Sequence, residues 1–160
     1  MTPPAARRPV RRFGSFQELA EAAQLDDVVF LEVGGRRLFD RPEPRPEEEL
    51  RTALSVWLRQ GDDGATLEVR CRLELAAAQA DFVVDAVAAF SLGGPFELGA
   101  EAQQWFVDQI GVTVLYPYLR ESVHSTAAKL GIDTPLLSVR STWPSAHPAH
   151  AAHTGHSGRE

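Results

Sequence analysis

The stretch Leu115-Tyr116-Pro117-Tyr118-Leu119-Arg120-Glu121 is the main indication of where helices begin and end in the second half of this chain. A proline inside a helix removes one backbone hydrogen bond and clashes with the preceding turn, whereas the first position of a helix tolerates it well. We therefore predict that one helix, from Glu101 to Leu115, ends here, and that a second helix runs from Pro117 to Leu130. Gly131 stands where a left-handed helix cap is expected.

Upstream of this stretch, apolar and polar residues alternate with a period of two, which is the pattern of strands with one buried face. Three such runs are predicted to form a meander with turns between them, at residues 50–58, 67–75 and 81–92. An earlier strand is predicted over Leu25–Val33. We expect Gly34-Gly35 to end that strand in a tight hairpin returning over residues 36–39.

The segment between the first strand and the meander, residues 41–49, carries three alternating prolines and is predicted to be a crossover loop. Strands followed by helices indicate an α+β fold: a four-stranded antiparallel sheet with helices packed on one face. We expect a disordered basic arm at residues 1–14, a single domain at 15–143 and a disordered, histidine-containing tail at 144–160. Ser15 and Glu18 form a predicted capping box at the start of a short first helix.

Composition narrows the function classes. The chain has 160 residues and a net charge of −6, which argues against a nucleic-acid partner. No apolar run is long enough to cross a bilayer, and the single cysteine, Cys71, favours a reducing, cytoplasmic location. No nucleophile, nucleotide-binding or zinc-protease motif is present, so we expect neither an enzyme nor a cofactor. The four tail histidines, at 147, 150, 153 and 156, are interpreted as an adventitious metal binder.

The proline stretch at 115–121 resembles the Leu-aromatic-Pro-Tyr-x-Arg-Glu motif of the SecB family of protein-export chaperones. Phe82-Val83-Val84-Asp85 is similar to a segment of that family's last strand, and the order of elements matches over residues 25–140. The resemblance implies an ATP-independent holdase that binds unfolded or precursor polypeptides. It also implies a homotetramer built as a dimer of dimers, and transfer of clients to the translocation motor SecA.

The resemblance further assigns roles to individual residues. It implies that the motor contacts Asp27, Val83 and Asp85, all on the outer face of the sheet. By simple alternation, Glu32 falls one residue out of register and is expected on the opposite face. Residues predicted to lie at the subunit interface are Trp105, Leu115, Tyr116, Tyr118, Leu119, Arg120 and Glu121. The family's last helix has only a short, broken counterpart at residues 136–144.

A holdase needs exposed apolar anchors that unfolded chains can cover, and exposed strand edges to which they can add. Candidate client-binding residues are Phe30, Phe39, Trp57, Leu136, Leu137 and Trp143. Two alternatives remain open at this point. The same scaffold could serve a single antitoxin of a toxin–antitoxin pair, which SecB-like chaperones of that kind protect. A small-molecule-binding α+β domain is the alternative from another class.

Overall fold

The computed structural model describes residues 9–40, 43–135 and 137. Helix α1 is short and precedes the first of four strands; a 3-10 turn lies in the crossover, and helices follow the sheet. The elements, in order, are α1 (Phe16–Ala22), β1 (Gln24–Arg37), the 3-10 turn Glu47–Glu49, β2 (Arg51–Gln60), β3 (Thr66–Ala76), β4 (Ala80–Ser91), α2 (Ala100–Phe106), a π-helical turn (Val107–Gly111) and α3 (Val112–Leu130).

The four strands form one antiparallel sheet in the order β1-β4-β3-β2. The crossover carries the chain from β1 to β2 at the far edge, and the meander then returns until β4 lies beside β1. The helices pack on one face of this sheet, so the predicted α+β fold is confirmed. Two long strands, β1 and β2, are left as the edges.

The core lies between α3 and the inner face of the two central strands. Inner-face residues of β3 and β4 are fully buried, including Val69 and Phe90. Phe90 meets Phe106 edge to face, with ring centroids 5.2 Å apart. Apolar residues of α3 such as Leu119 and Val123 close the other side. The period-two alternation therefore correctly identified the buried face of the meander.

The predicted hairpin at Gly34-Gly35 is wrong, because β1 continues through both glycines to Arg37. Gly35 serves close packing instead of a turn. A Cβ atom at this position would lie 2.6 Å from the Thr126 side chain and 3.0 Å from that of Leu130, both on α3. A residue without a side chain lets the helix cross the strand at this point.

The predicted break at Pro117 is also wrong, because α3 runs without interruption from Val112 to Leu130 with Pro117 inside it. Pro117 and Thr113 both lie on the exposed side of the helix, where water can satisfy the carbonyl that proline leaves unpaired. The irregularity falls earlier, at the π-helical turn. There Gly111 packs so closely on Val69 that a Cβ would lie 2.6 Å from the valine side chain.

The predicted helix caps at Ser15 and Gly131 are present, although the Glu18 carboxylate bonds the backbone one residue before the Ser15 N–H that a capping box uses. The Ser15 hydroxyl accepts a hydrogen bond from the Glu18 backbone N–H, and the Glu18 carboxylate accepts one from Gly14 N–H. Gly131 has a φ of +64° and closes α3 in the left-handed conformation. The Ile132 N–H then reaches the Ala127 carbonyl, as in a Schellman cap.

The structure differs from the expected disordered arm over the part of residues 1–14 that it describes. Arg11 forms a parallel bridge with Phe96, and Phe13 packs against the core. Backbone pairing with the loop after β4 accounts for this order, and the sequence pattern gives no sign of it. Residues 1–8 and the tail at 144–160 lie outside the described residues.

Candidate functional site

Strand β1 is the most exposed part of the sheet. It is an edge strand, and within the described residues only β4 pairs with it. Of its 14 residues, none is buried and most are exposed. Its exposed large apolar residues are Leu25, Val29, Phe30, Leu31 and Val33, and Leu31 has 53% of its surface exposed. Helix α3 covers the end of β1 near Gly35, but most of the strand is exposed, and a long apolar edge strand can pair with another chain.

Two bulges in β1 change which side chains face outward. The register against β4 shifts between Leu25 and Asp27 and again between Phe30 and Glu32. The second shift leaves Leu31 without a partner and places Glu32 opposite Asp85. The expectation that Glu32 points to the opposite face is therefore wrong, because a bulge restores the register that simple alternation loses.

The outer face of the sheet is organised around Asp85, which is only 1% exposed. Arg70 donates two hydrogen bonds to its carboxylate, at 2.9 and 2.6 Å, and Arg72 donates a third at 3.2 Å. Hydrogen bonds from Arg70, and then from Arg72, hold the pKa of Asp85 below its usual value, against the opposing effect of burial. Arg72 also bonds Glu32 and Glu74, so the ionised carboxylate lies within a charged network that spans β1, β3 and β4.

The outer-face residues assigned to a motor partner differ in accessibility. Asp27 is exposed and lies opposite Ala89, while Val83 is half-buried. Asp85 lies beneath the two arginines, so a partner approaching this face would meet Arg70 and Arg72 first. Asp85 thus positions these guanidinium groups. Sequence reasoning missed both arginines, although their outward positions on β3 next to an acid on β4 were a usable signal.

The predicted client-binding residues do not form one cluster. Phe30 lies opposite Ala86 on the helix-bearing face of β1, whereas Trp57 lies opposite Arg70 on the outer face at the other end of the strand order. The Trp57 ring is capped by the Arg70 guanidinium at 4.9 Å. Phe39 follows β1, is 85% exposed and contacts the Arg37 guanidinium. Leu137 packs against the core. Leu136 and Trp143 lie outside the described residues.

The residues assigned to a subunit interface fall into two groups. Leu115, Tyr116 and Leu119 are buried within the chain itself, so they belong to its own core. Trp105 is half-buried and stacks on Phe16, with centroids 4.9 Å apart. The residues of this set that remain exposed are Tyr118, Arg120 and Glu121. Helical periodicity explains the division, since it alternates inward and outward positions along α3.

A separate cavity of about 600 Å³ opens between residues 12–14, α1 and the loop before α2. Apolar side chains line it, among them Phe13, Phe16 and Leu98, with Arg12 and Glu97 at the rim. Within the described part of the chain, no cluster of residues could hold a metal ion. In the same part, every helix is too short or too polar to span a bilayer.

Within the described residues, the sheet leaves one edge of the long apolar strand β1 unpaired. An edge of this kind can accept a further strand from another polypeptide. Comparison with known proteins gives the family of the chain. The chain is 34% identical, over 125 residues, to the SecB-like chaperone SmegB of Mycolicibacterium smegmatis, which covers 78% of this chain and 80% of the relative. The chain therefore belongs to the SecB-like chaperone family. No family model matches the chain.

The fold is also similar to that of a SecB-like chaperone of Mycobacterium tuberculosis, Rv1957, solved in complex with a ChAD peptide from the Rv1956 HigA1 antitoxin. The TM-score is 0.57 at 21% sequence identity, over 78% of this chain and 95% of that one. This likeness supports the sheet topology and the placement of the helices.

Proposed function

We propose that this chaperone is an ATP-independent holdase that binds unfolded polypeptides through the exposed apolar edge of β1 and neighbouring apolar residues. The observation that carries the proposal is the 14-residue β1 strand, which holds five exposed large apolar residues and has one edge unpaired within the described residues. We assign it no catalytic role and no cofactor, and we place it in the cytoplasm.

Weak individual contacts fit a protein that must also release its clients. A fully buried anchor side chain contributes roughly 1.5–3 kcal/mol, whereas each client residue that becomes ordered costs about 1–2 kcal/mol. A single site is therefore marginal. Several sites acting on one long client chain gain through their high effective concentration. We propose Phe30, Phe39, Trp57, Leu136, Leu137 and Trp143 as the client anchors.

We propose a homotetramer, because repeating weak client sites along one long polypeptide requires several copies of the chain. Tyr118, Arg120, Glu121 and Trp105 are the described interface candidates that one chain leaves wholly or partly accessible. Light scattering tests this assembly directly. A mass of four chains is expected, and a monomer at micromolar concentration would contradict it.

Two clients are compatible with this site. Export precursors, passed on to a motor at Asp27, Val83 and the Arg70–Asp85 network, are one possibility. The alternative is a single antitoxin, and it is favoured by the antitoxin peptide bound to Rv1957. A toxin–antitoxin pair encoded beside the gene would favour the antitoxin. Loss of client transfer in an Asp27→Lys variant that still binds clients would favour the motor.

The holdase proposal is tested by suppression of aggregation of a chemically denatured model protein without nucleotide. We expect suppression at a few-fold molar excess of the chaperone. Phe30→Ser removes a β1 anchor and should weaken client binding about tenfold, which corresponds to about 1.4 kcal/mol. Leu50→Ser is the matched control, because Leu50 has a similar exposed fraction (38% against 41%) but lies before β2. Equal effects of the two substitutions would contradict the assignment of β1.

A further inference from the structure

The described part of the N-terminal arm binds the domain as an extended peptide would. The Arg11 backbone N–H donates to the Pro95 carbonyl at 2.7 Å, and the Glu97 N–H donates to the Arg11 carbonyl at 3.0 Å. This is a parallel bridge between Arg11 and Phe96, outside the four-stranded sheet. The loop Pro95–Glu97 therefore presents a backbone donor and a backbone acceptor to a passing chain.

Side chains of the arm match the charges around this loop. Arg12 donates two hydrogen bonds to one Glu97 carboxylate oxygen, at 3.1 and 2.9 Å. Arg11 lies 3.6 Å from the Glu18 carboxylate and donates to the Leu92 carbonyl at 3.3 Å. The two basic residues thus meet two acids, one on the loop and one on α1.

The residue that follows supplies an apolar anchor. Phe13 is partly buried against the core and lines the cavity of about 600 Å³ together with Phe16 and Leu98. Phe13 is one wall of this cavity, so the space beside it is open to a further side chain. Backbone pairing, two acids and an apolar cavity are together the features of a site for an extended peptide.

We propose that residues Val10–Phe13 are an intramolecular occupant of a second client-binding surface, formed by the loop Pro95–Glu97, α1 and α2. A client segment that is extended and carries basic residues followed by an aromatic residue would displace the arm. This inference rests on the proposed holdase function and adds its regulation: the chain covers one of its own binding surfaces until a client competes.

The contacts of the arm are suited to exchange. The side chains of Arg12 and Glu97 are 81% and 61% exposed, and ion pairs this exposed contribute little to stability. The remaining stability of the bound arm comes from a few backbone hydrogen bonds and one aromatic side chain. If the arm occupies the surface nine-tenths of the time, the apparent affinity for a competing peptide falls about tenfold.

A reversible lock in the full-length chain tests the proposal. Positions 12 and 97 are neighbours across the parallel bridge, where chains run about 4.8 Å apart, a spacing that a disulfide spans. In an Arg12→Cys/Glu97→Cys variant, oxidation fixes the arm and reduction frees it. Cys71 does not interfere, because burial raises the pKa of its thiol to about 12. An Arg12→Ser/Glu97→Ser variant, treated with the same oxidant, is the matched control.

The probe is a fluorescein-labelled synthetic peptide with the sequence Pro-Val-Arg-Arg-Phe-Gly, read by fluorescence anisotropy. We expect the reduced double-cysteine variant to bind it at least about fivefold more tightly than the oxidised form, with no effect of oxidant on the serine control. A peptide with Ala in place of Phe should bind no form. Equal peptide affinity in the oxidised and reduced forms overturns the proposal.

Aggregation assays on the same samples test the holdase function and its regulation by the arm separately. Suppression by the wild-type chain, together with stronger suppression after reduction than after oxidation of the locked variant, supports the arm as a regulator. Suppression that is identical in both redox forms overturns this inference and leaves the holdase function standing. If no form suppresses aggregation, the proposed function is wrong and the inference falls with it.

Discussion

Replacing Asp85 by Asn tests whether the outer face of the sheet is built around a buried charge. The substitution keeps the size of the side chain but removes its negative charge and leaves two guanidinium groups without their shared partner. A hydrogen bond to a charged group contributes about 1.5–3 kcal/mol, and breaking a fully buried ion pair costs about 3–5 kcal/mol. Because Arg70 and Arg72 keep 43% and 29% of their side-chain surface in contact with solvent, we expect a smaller loss.

The expected loss is about 2 kcal/mol of unfolding free energy at pH 7, or a lowering of the melting temperature by about 4–8 °C for a chain of this size. Urea unfolding followed by tryptophan fluorescence measures it. Asp27→Asn is the matched control, because Asp27 is an exposed acid on the same face of the neighbouring strand.

The pH dependence of the unfolding free energy is a second, independent test of the Asp85 ion pairs. Arginine hydrogen bonds lower the pKa of Asp85 in the folded chain below its ordinary value of 3.8. The stability from this carboxylate is therefore fully present above that ordinary value and is lost as pH falls through the lower, folded-state pKa. The difference between wild type and Asp85→Asn should be constant from pH 7 to 5 and shrink below pH 4. An Asp85→Asn loss no larger than that of Asp27→Asn, or a difference unchanged at pH 3, would refute the reasoning.

Two further predictions concern the core. Gly111→Ala should cost about 1–3 kcal/mol, because its Cβ would lie within 2.9 Å of three atoms of Val69; Val69→Ala in the same chain should recover part of that loss in a thermal melt, and simple additivity would contradict the packing. Cys71 should resist a thiol reagent at pH 8 in the native chain and react on unfolding, since burial and the nearby Asp85 charge raise its pKa to about 12; rapid labelling of the folded chain would contradict this burial.

Sequence reasoning succeeded where one local rule acts alone. Alternation along β3 and β4 identified the buried face, because a strand half-covered by helices must be apolar on one side only. The caps at Ser15 and Gly131 were predictable, since each satisfies backbone groups of its own helix end. The order of the predicted elements, strands followed by helices, then indicated the α+β class.

Prediction from the sequence failed where a tertiary contact with a distant segment decides the local conformation. Gly34-Gly35 resembles a turn, yet Gly35 is small because α3 crosses β1 there. Pro117 resembles a helix start, yet the helix continues because the unpaired carbonyl faces solvent. The bulge at Leu31 reversed the expected direction of Glu32, and no pattern in β1 alone marks it.

The functional residues, too, were predictable from the sequence only in part. The stretch 115–121 was sufficient for the resemblance that family membership later confirmed, but it did not separate buried Leu115 and Leu119 from exposed Tyr118. The candidate anchors were predicted one by one as apolar residues, and among those that the structure describes Phe30 and Phe39 are exposed. That Phe30 and Trp57 lie on opposite faces of the sheet depends on strand order, which links residues far apart in the chain.

By itself, the sequence determined the fold class, the buried face of the meander, the start of α1 at Ser15 and the end of α3 at Gly131, because these follow from periodicity and from backbone groups that need partners nearby. Only the tertiary structure decided that Asp85 lies under two arginines, that β1 is an edge strand paired by β4 alone within the described residues, and that Arg11 pairs with the loop after β4. Each of these features is a contact between segments far apart in the sequence. Its free energy depends on both segments together, so a local sequence pattern does not predict it.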